Sequence, residues 1–186
     1  MPSQKVFRLN GNRELQCLQE EIPSIDKHEV LIRVRAVALN YRDIAIVRFK
    51  YPFPVKDNLV PCSDAAGEIV EVGSSVTKAL AKGDTVIGTF DPTNLYGPQQ
   101  TMTHSLGGPV DGVLRQYIVL PAEAVVKVPT TSSLSLAQWA SLVGPGLTAW
   151  NALYGNSALK PGQTVLFQGR QAAFVERKYS VFRTID

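Results

Sequence analysis

Asn40-Tyr41-Arg42-Asp43 puts three hydrogen-bond donors and one carboxylate in consecutive positions. Such donors can meet an oxygen on which negative charge develops, and the carboxylate can orient them. A competing structural use is as plausible on residue type: Asp43 pairs with Arg42 or caps a helix starting at Ile44, and Asn40 ties down backbone. Thr148 is a second candidate, because Gly146 and Ala149 beside it permit close approach to its hydroxyl. Its alternative is a helical threonine bonded to its own preceding turn. Tyr51 and Phe53, among turn-forming prolines, could line a pocket, whereas Trp139 and Trp150 read as core residues. Cys17 and Cys62 are the only cysteines, and His28 and His104 the only histidines. Their spacing matches neither a disulfide framework nor a zinc site, so Cys62 reads as core and each histidine as surface.

Composition narrows the classes. Over 186 residues, 45% are hydrophobic and 19% charged, which is ordinary for a globular chain, and the net charge of +3 is too small to point to nucleic acid. The N-terminus has no continuous apolar signal core, and no apolar run reaches spanning length, so a soluble, cytoplasmic protein with no membrane contact is expected.

The elements that must position these residues are short strands. "EVLIRVRAVAL" alternates with period two, "GEIVEVG" is a second such run, and a turn at Lys82-Gly83-Asp84 precedes a third. "GVLRQYIVLP" and "AVVKVP" are closed by Pro121 and Pro129. Strands without long helices between them imply a mainly β fold, an antiparallel and partly open barrel. The Pro-, Gly- and Thr-rich segment from Asp91 to Pro109 reads as a functional or mobile loop. Beyond Ser132 the pattern turns helical. Ser135-x-x-Gln138 is a capping box, Gly144-Pro145-Gly146 an interruption, and Leu147 to Tyr154 a second short helix stopped by Gly155. "TVLFQG" then reads as a buried strand of a parallel sheet.

"HEVLIRVRAVALNYRD", "PCSDAAGEIVEVGSSVTKALAKGDTVIG", "GGPVDGVLRQYIVLP" and "GLTAWNALYG…LKPGQTVLFQG" occur in the order found in medium-chain dehydrogenases/reductases. The wording resembles the zinc-type alcohol dehydrogenase-like subgroup, related to quinone oxidoreductases. That resemblance implies a GroES-like catalytic domain at 1–131, then linking helices and the first strand of a nucleotide-binding domain at 132–169. It implies hydride transfer between NADP or NAD and a small carbonyl, enone or alcohol. It also places Asn40, Tyr41 and Arg42 at the nicotinamide side of the cleft, with Asn40 and Tyr41 as catalytic candidates, and Thr148 at the nicotinamide. Zinc-dependent relatives keep Cys and His where this chain has Asn40 and Ser63, so a metal-free member without zinc is expected.

After Gly169 the resemblance stops. Arg170, Gln171, Ala172 and Ala173 replace the glycines that a pyrophosphate requires, and 170–186 forms a divergent basic tail. Two expectations follow: an oxidoreductase lacking most of its cofactor domain and inactive alone, or a non-catalytic GroES-like interaction module. Uncovered Val165, Leu166 and Phe167 would favour self-association into a homo-oligomer.

Overall fold

The computed structural model describes residues 2–99, 101–155 and 157–165. The expectations for Leu166, Phe167 and the tail at 170–186 lie outside the described residues. The chain divides into two compact units, Met1–Val143 and Gly144–Asp186.

The first unit opens with an antiparallel hairpin, β1 (Ser3–Leu9) and β2 (Leu15–Glu21), pairing Leu9 with Leu15. Its turn is built by Asn10, whose Oδ1 accepts the N–H groups of Asn12 and Glu14, both at 2.9 Å. The hairpin is docked by backbone hydrogen bonds from Phe7 N to Leu114 O (3.0 Å) and from Leu9 N to Leu59 O (2.8 Å).

The main sheet contains β3 (Glu29–Ala38), β4 (Asp64–Val72), β5 (Thr85–Gly88), β6 (Tyr117–Pro121) and β7 (Val125–Lys127), in the order β6-β3-β4-β5-β7. Every pairing in it is antiparallel. The two edge strands are consecutive in sequence, joined by one 3₁₀ turn at Ala122–Ala124. In a flat sheet those edges would lie roughly 19 Å apart, while the four steps from Pro121 to Val125 reach at most about 14 Å. The sheet must therefore curl into the partly open barrel that the strand pattern implied. Its interior is filled by Val30, Ile32, Ile69, Val86, Ile118, Leu120 and Val125, all buried. The pairing of β3 with β4 shifts register between Val34 and Ala36, next to Gly67. A Cβ on Gly67 would strike the Arg33 carbonyl and the Ile32 side chain, so this close approach requires glycine.

Helix α1 (Tyr41–Val47) follows β3 after two residues, and α2 (Leu136–Ala140) packs against β3 and β4. The expected capping box is present in α2: Ser135 Oγ accepts Gln138 N–H at 3.3 Å, and Gln138 Oε1 accepts Ser135 N–H at 2.9 Å.

Three expectations need correction. Gly144-Pro145-Gly146 does not precede the next helix but lies in the first turn of α3 (Val143–Trp150), which ends in one wider turn at Asn151–Gly155. First-turn N–H groups have no intrahelical partner, so Pro145 loses nothing there. The strand read from "GVLRQYIVLP" is only its second half, because Val113 N and Leu114 N instead donate to the Cys62 and Pro61 carbonyls at 2.9 and 3.2 Å. Trp150 is not a core residue: it is 64% exposed and packs on Tyr154 with ring centroids 4.7 Å apart.

Candidate functional site

The end of β3 and the start of β4 are register partners, with Ala38 opposite Asp64. That pairing brings Asn40 and Ser63-Asp64 together across 24 residues of sequence. Asn40 is the N-cap of α1, so the helix starts three residues before Ile44. Asp43 Oδ2 accepts the Asn40 backbone N–H at 2.8 Å, which gives Asp43 the capping role. The Asn40 side chain reaches across to β4, where Nδ2 donates to Asp64 Oδ2 at 3.0 Å. Ser63 Oγ donates to the other oxygen, Asp64 Oδ1, at 2.6 Å. Asp64 has no exposed surface, and Asp43 and Ser63 are also buried.

Burial pushes the Asp43 carboxyl above the usual range. The backbone N–H groups of Asn40 and Cys62 and the Arg42 charge oppose that rise, while the Asp64 charge adds to it. The same burial, with Asp43 and Asp64 nearby, pushes the Cys62 thiol up to about 12. It stays protonated at neutral pH and is no thiolate. Cys62 is a core residue as expected, but it does not lie on a strand: its φ is +68°. Gly112 makes that conformation tenable, since a Cβ there would overlap the Cys62 carbonyl.

The other candidates separate. Tyr41 is 82% exposed and presents its phenol outward. Arg42 instead crosses to the loop after β5: Nη1 donates to the Leu106 carbonyl at 2.6 Å and Nε to Tyr51 Oη at 3.0 Å. Its guanidinium also lies over the Tyr51 and Phe90 rings, at 5.3 and 4.8 Å from their centroids. Thr148 belongs to the second unit, and its Oγ donates to the Gly144 carbonyl at 2.9 Å. What its oxygen can still offer is lone pairs. Phe53 meets Tyr51 edge-on at 5.5 Å and lines a cleft of about 710 Å³ with Val55, Lys56, Met102 and Pro109.

Asp64 and Ser63 are the residues that reading for donors missed as a pair. A carboxylate opening a strand that reads Ala65-Ala66-Gly67 was the available signal, because a charge set among small apolar residues requires donors. His28 and His104 are exposed. Among the described residues, no group of three His, Cys, Asp or Glu side chains could hold a metal ion, and no helix is long and apolar enough to cross a membrane.

A curled antiparallel sheet with a polar site where β3 runs into α1 defines a GroES-like catalytic domain of the medium-chain dehydrogenase/reductase type. The alcohol dehydrogenase GroES-like domain matches residues 26–130, more than half of the chain, and the chain belongs to that family. A zinc-type alcohol dehydrogenase-like protein of Schizosaccharomyces pombe is 40% identical over 166 residues, covering 87% of this chain and 47% of its own length. A quinone oxidoreductase-like protein 2 homolog of Nematostella vectensis is 35% identical over 138 residues, covering 74% of this chain and 32% of its own. The chain thus spans about half the length of the first and a third of the second. Among solved structures, a candidate alcohol dehydrogenase of Sinorhizobium meliloti 1021 superposes with a TM-score of 0.73 at 34% identity, over 86% of this chain and 48% of that one. A candidate zinc-binding dehydrogenase of the same organism, bound to NADP, shares the fold with a TM-score of 0.63 at 18% identity, over 80% and 46%.

Proposed function

We propose that this chain carries the catalytic-domain half of an NAD(P)-dependent oxidoreductase acting on a small carbonyl, enone, quinone or alcohol, with no zinc at the Asn40 site. The observation that carries the reading is the Asn40 amide held by Asp64 at 3.0 Å, in the motif that the resemblance assigns to the nicotinamide side of the cleft. A bound nicotinamide supplies or accepts the hydride. As hydride reaches carbon, negative charge grows on the substrate oxygen, and a donor fixed in advance stabilises it. Asn40 has one amide hydrogen on Asp64 and offers the second. The resemblance makes Tyr41, whose phenol faces solvent, the second donor candidate.

The donor set fits a carbonyl and a carboxamide better than a metal. A primary amide and a hydroxyl, both committed to a carboxylate, are poor zinc ligands. The lone pairs of Thr148 suit the N–H of a nicotinamide carboxamide. Arg42, bound to Tyr51 and Leu106, serves by fixing α1 and with it Asn40 and Tyr41.

The test is NADPH oxidation driven by enones and quinones, using the chain joined at Gly169 to the cofactor domain of the S. pombe relative. Asn40→Ala should lower kcat about 100-fold or more, the usual cost of losing one such donor. An unchanged kcat would discard Asn40 as the donor. A second reading, an interaction module, draws support from the exposed stripe Tyr41, Ile44 and Val47 on α1. A self-associating chain in light scattering, restored to monomer by Ile44→Glu, would favour it.

A further inference from the structure

We infer, building on the reading of Asn40 as donor to a substrate oxygen, that Asp64 is a positioning residue that sets which end of the Asn40 amide faces it, with Ser63 locking the carboxylate in that task. A primary amide is nearly symmetric in shape, and rotation by half a turn exchanges its oxygen and its nitrogen. Left to itself, Asn40 could present either. A carboxylate accepts and cannot donate, so only Nδ2 can face Asp64 Oδ2, at 3.0 Å. The rotated amide would set Asn40 Oδ1 against Oδ2, two acceptors with no proton between them.

Asp64 must itself be held still for this to work. Ser63 Oγ–H on Oδ1, at 2.6 Å, prevents the carboxylate from turning about its own axis. Complete burial keeps water from replacing either bond and strengthens both. The strand register, with Ala38 opposite Asp64, fixes the carboxylate two residues from Asn40. The backbone of Asn40 is pinned separately by Asp43 Oδ2 on its N–H, at 2.8 Å. One aspartate therefore fixes where Asn40 sits, and the other fixes which way its amide points. Neither task requires Asp64 to touch substrate.

The test uses the full chain labelled with ¹⁵N and reads side-chain amides by NMR, with the Asn40 pair assigned by its loss in Asn40→Asp. In the native chain one Asn40 amide proton should lie downfield and exchange with water about tenfold or more slowly than those of exposed Asn12, as expected for a bond to a charged acceptor. Asp64→Asn replaces the charged acceptor by a neutral one that no longer excludes the rotated pairing, and should lower that protection severalfold while the backbone spectrum remains folded. Ser63→Ala keeps the carboxylate and should lose part of the protection, which covers the case in which Asp64→Asn does not fold. Native Asn40 protons that exchange as fast as those of Asn12, or that are unmoved in both folded variants, would overturn the role of Asp64. Titration with 2-cyclohexenone separates this from the parent reading. A shift of the second Asn40 proton supports the donor. A native pair that is protected yet unmoved by the enone overturns the donor and leaves the hold of Asp64 on Asn40 standing.

Discussion

Two clusters of carboxylates in the first unit are built on opposite electrostatic plans. Around Asp111, the charges are compensated by ions. Arg8 Nε pairs with Glu20 at 2.5 Å, Arg8 Nη1 with Asp111 at 3.1 Å, and Lys56 Nζ with Asp111 at 2.6 Å, while Val60 N–H donates to the same carboxylate at 3.0 Å. Burial alone would raise Asp111, but Lys56, Val60 N–H and Arg8 outweigh it and hold the carboxyl below its usual range. Arg8 likewise holds Glu20 below its own, chiefly through their hydrogen bond. Around Asn40 the partners are mostly neutral: an amide, a hydroxyl and a backbone N–H serve Asp64 and Asp43, and burial wins at Asp43. The first cluster joins β1, β2, the segment before Val60 and the segment after Pro109. The second ties the end of β3 to the start of β4 and fixes the Asn40 amide and backbone.

Asp111→Ala tests the joining role and should have the largest effect. It removes the shared acceptor of Arg8, Lys56 and Val60 N–H and leaves a mostly buried Arg8 with only Glu20 and the Asn58 carbonyl, 2.8 Å from its Nη1. A loss of about 3 kcal/mol is expected, as when one partner of a buried pair is deleted. Urea unfolding at unchanged slope measures it. Lys56→Ala, on a side chain 44% exposed, should cost under about 1 kcal/mol. Equal costs for the two would mean that burial does not govern the cluster.

Arg42→Lys should cost about 1–2 kcal/mol. Lysine keeps the charge but cannot bond Tyr51 and Leu106 together while lying flat between the Tyr51 and Phe90 rings. Thermal unfolding reads the loss. A cost within a few tenths of a kcal/mol would return Arg42 to the cofactor, where the resemblance first placed it.

The sheet was largely legible because its signals are local. Ile32, Val34 and Ala36 alternate with Arg33 and Arg35 along β3, and Lys82-Gly83-Asp84 lies in the turn before β5, with Gly83 at φ +92°. The β1–β2 hairpin has a weak local signal: Asn10-Gly11 opens its turn, but β2, LQCLQEE, is almost wholly exposed and lacks an apolar face. The first half of "GVLRQYIVLP" could not be placed by period, since its partners are carbonyls near Cys62, some fifty residues away. The site divides in the same way. The helix-capping role of Asp43 follows from a spacing of three residues, whereas the bond from Asn40 to Asp64 exists only once β3 and β4 pair in one register. No local pattern encodes that register.

Asp43→Asn is expected to change stability least at neutral pH, within about 1 kcal/mol and toward greater stability. Asparagine keeps an oxygen for the Asn40 N–H and removes a charge that burial disfavours. The sign against pH distinguishes the clusters. Asp43 has a folded value raised above its unfolded one, so its contribution is fully present below about pH 4 and is lost as pH rises through the raised value. Asp111 and Glu20 have depressed folded values, so theirs is present above about pH 4 and is lost as pH falls through those values. The stability gained by Asp43→Asn should therefore grow as pH climbs from acid to neutral, while that lost by Asp111→Ala should shrink as pH falls into acid. Urea midpoints between pH 3 and 8 follow both. Parallel slopes in the two variants would show that the neutral donors around Asp43 compensate its charge as fully as Arg8 and Lys56 compensate Asp111, and the contrast between the clusters would fail.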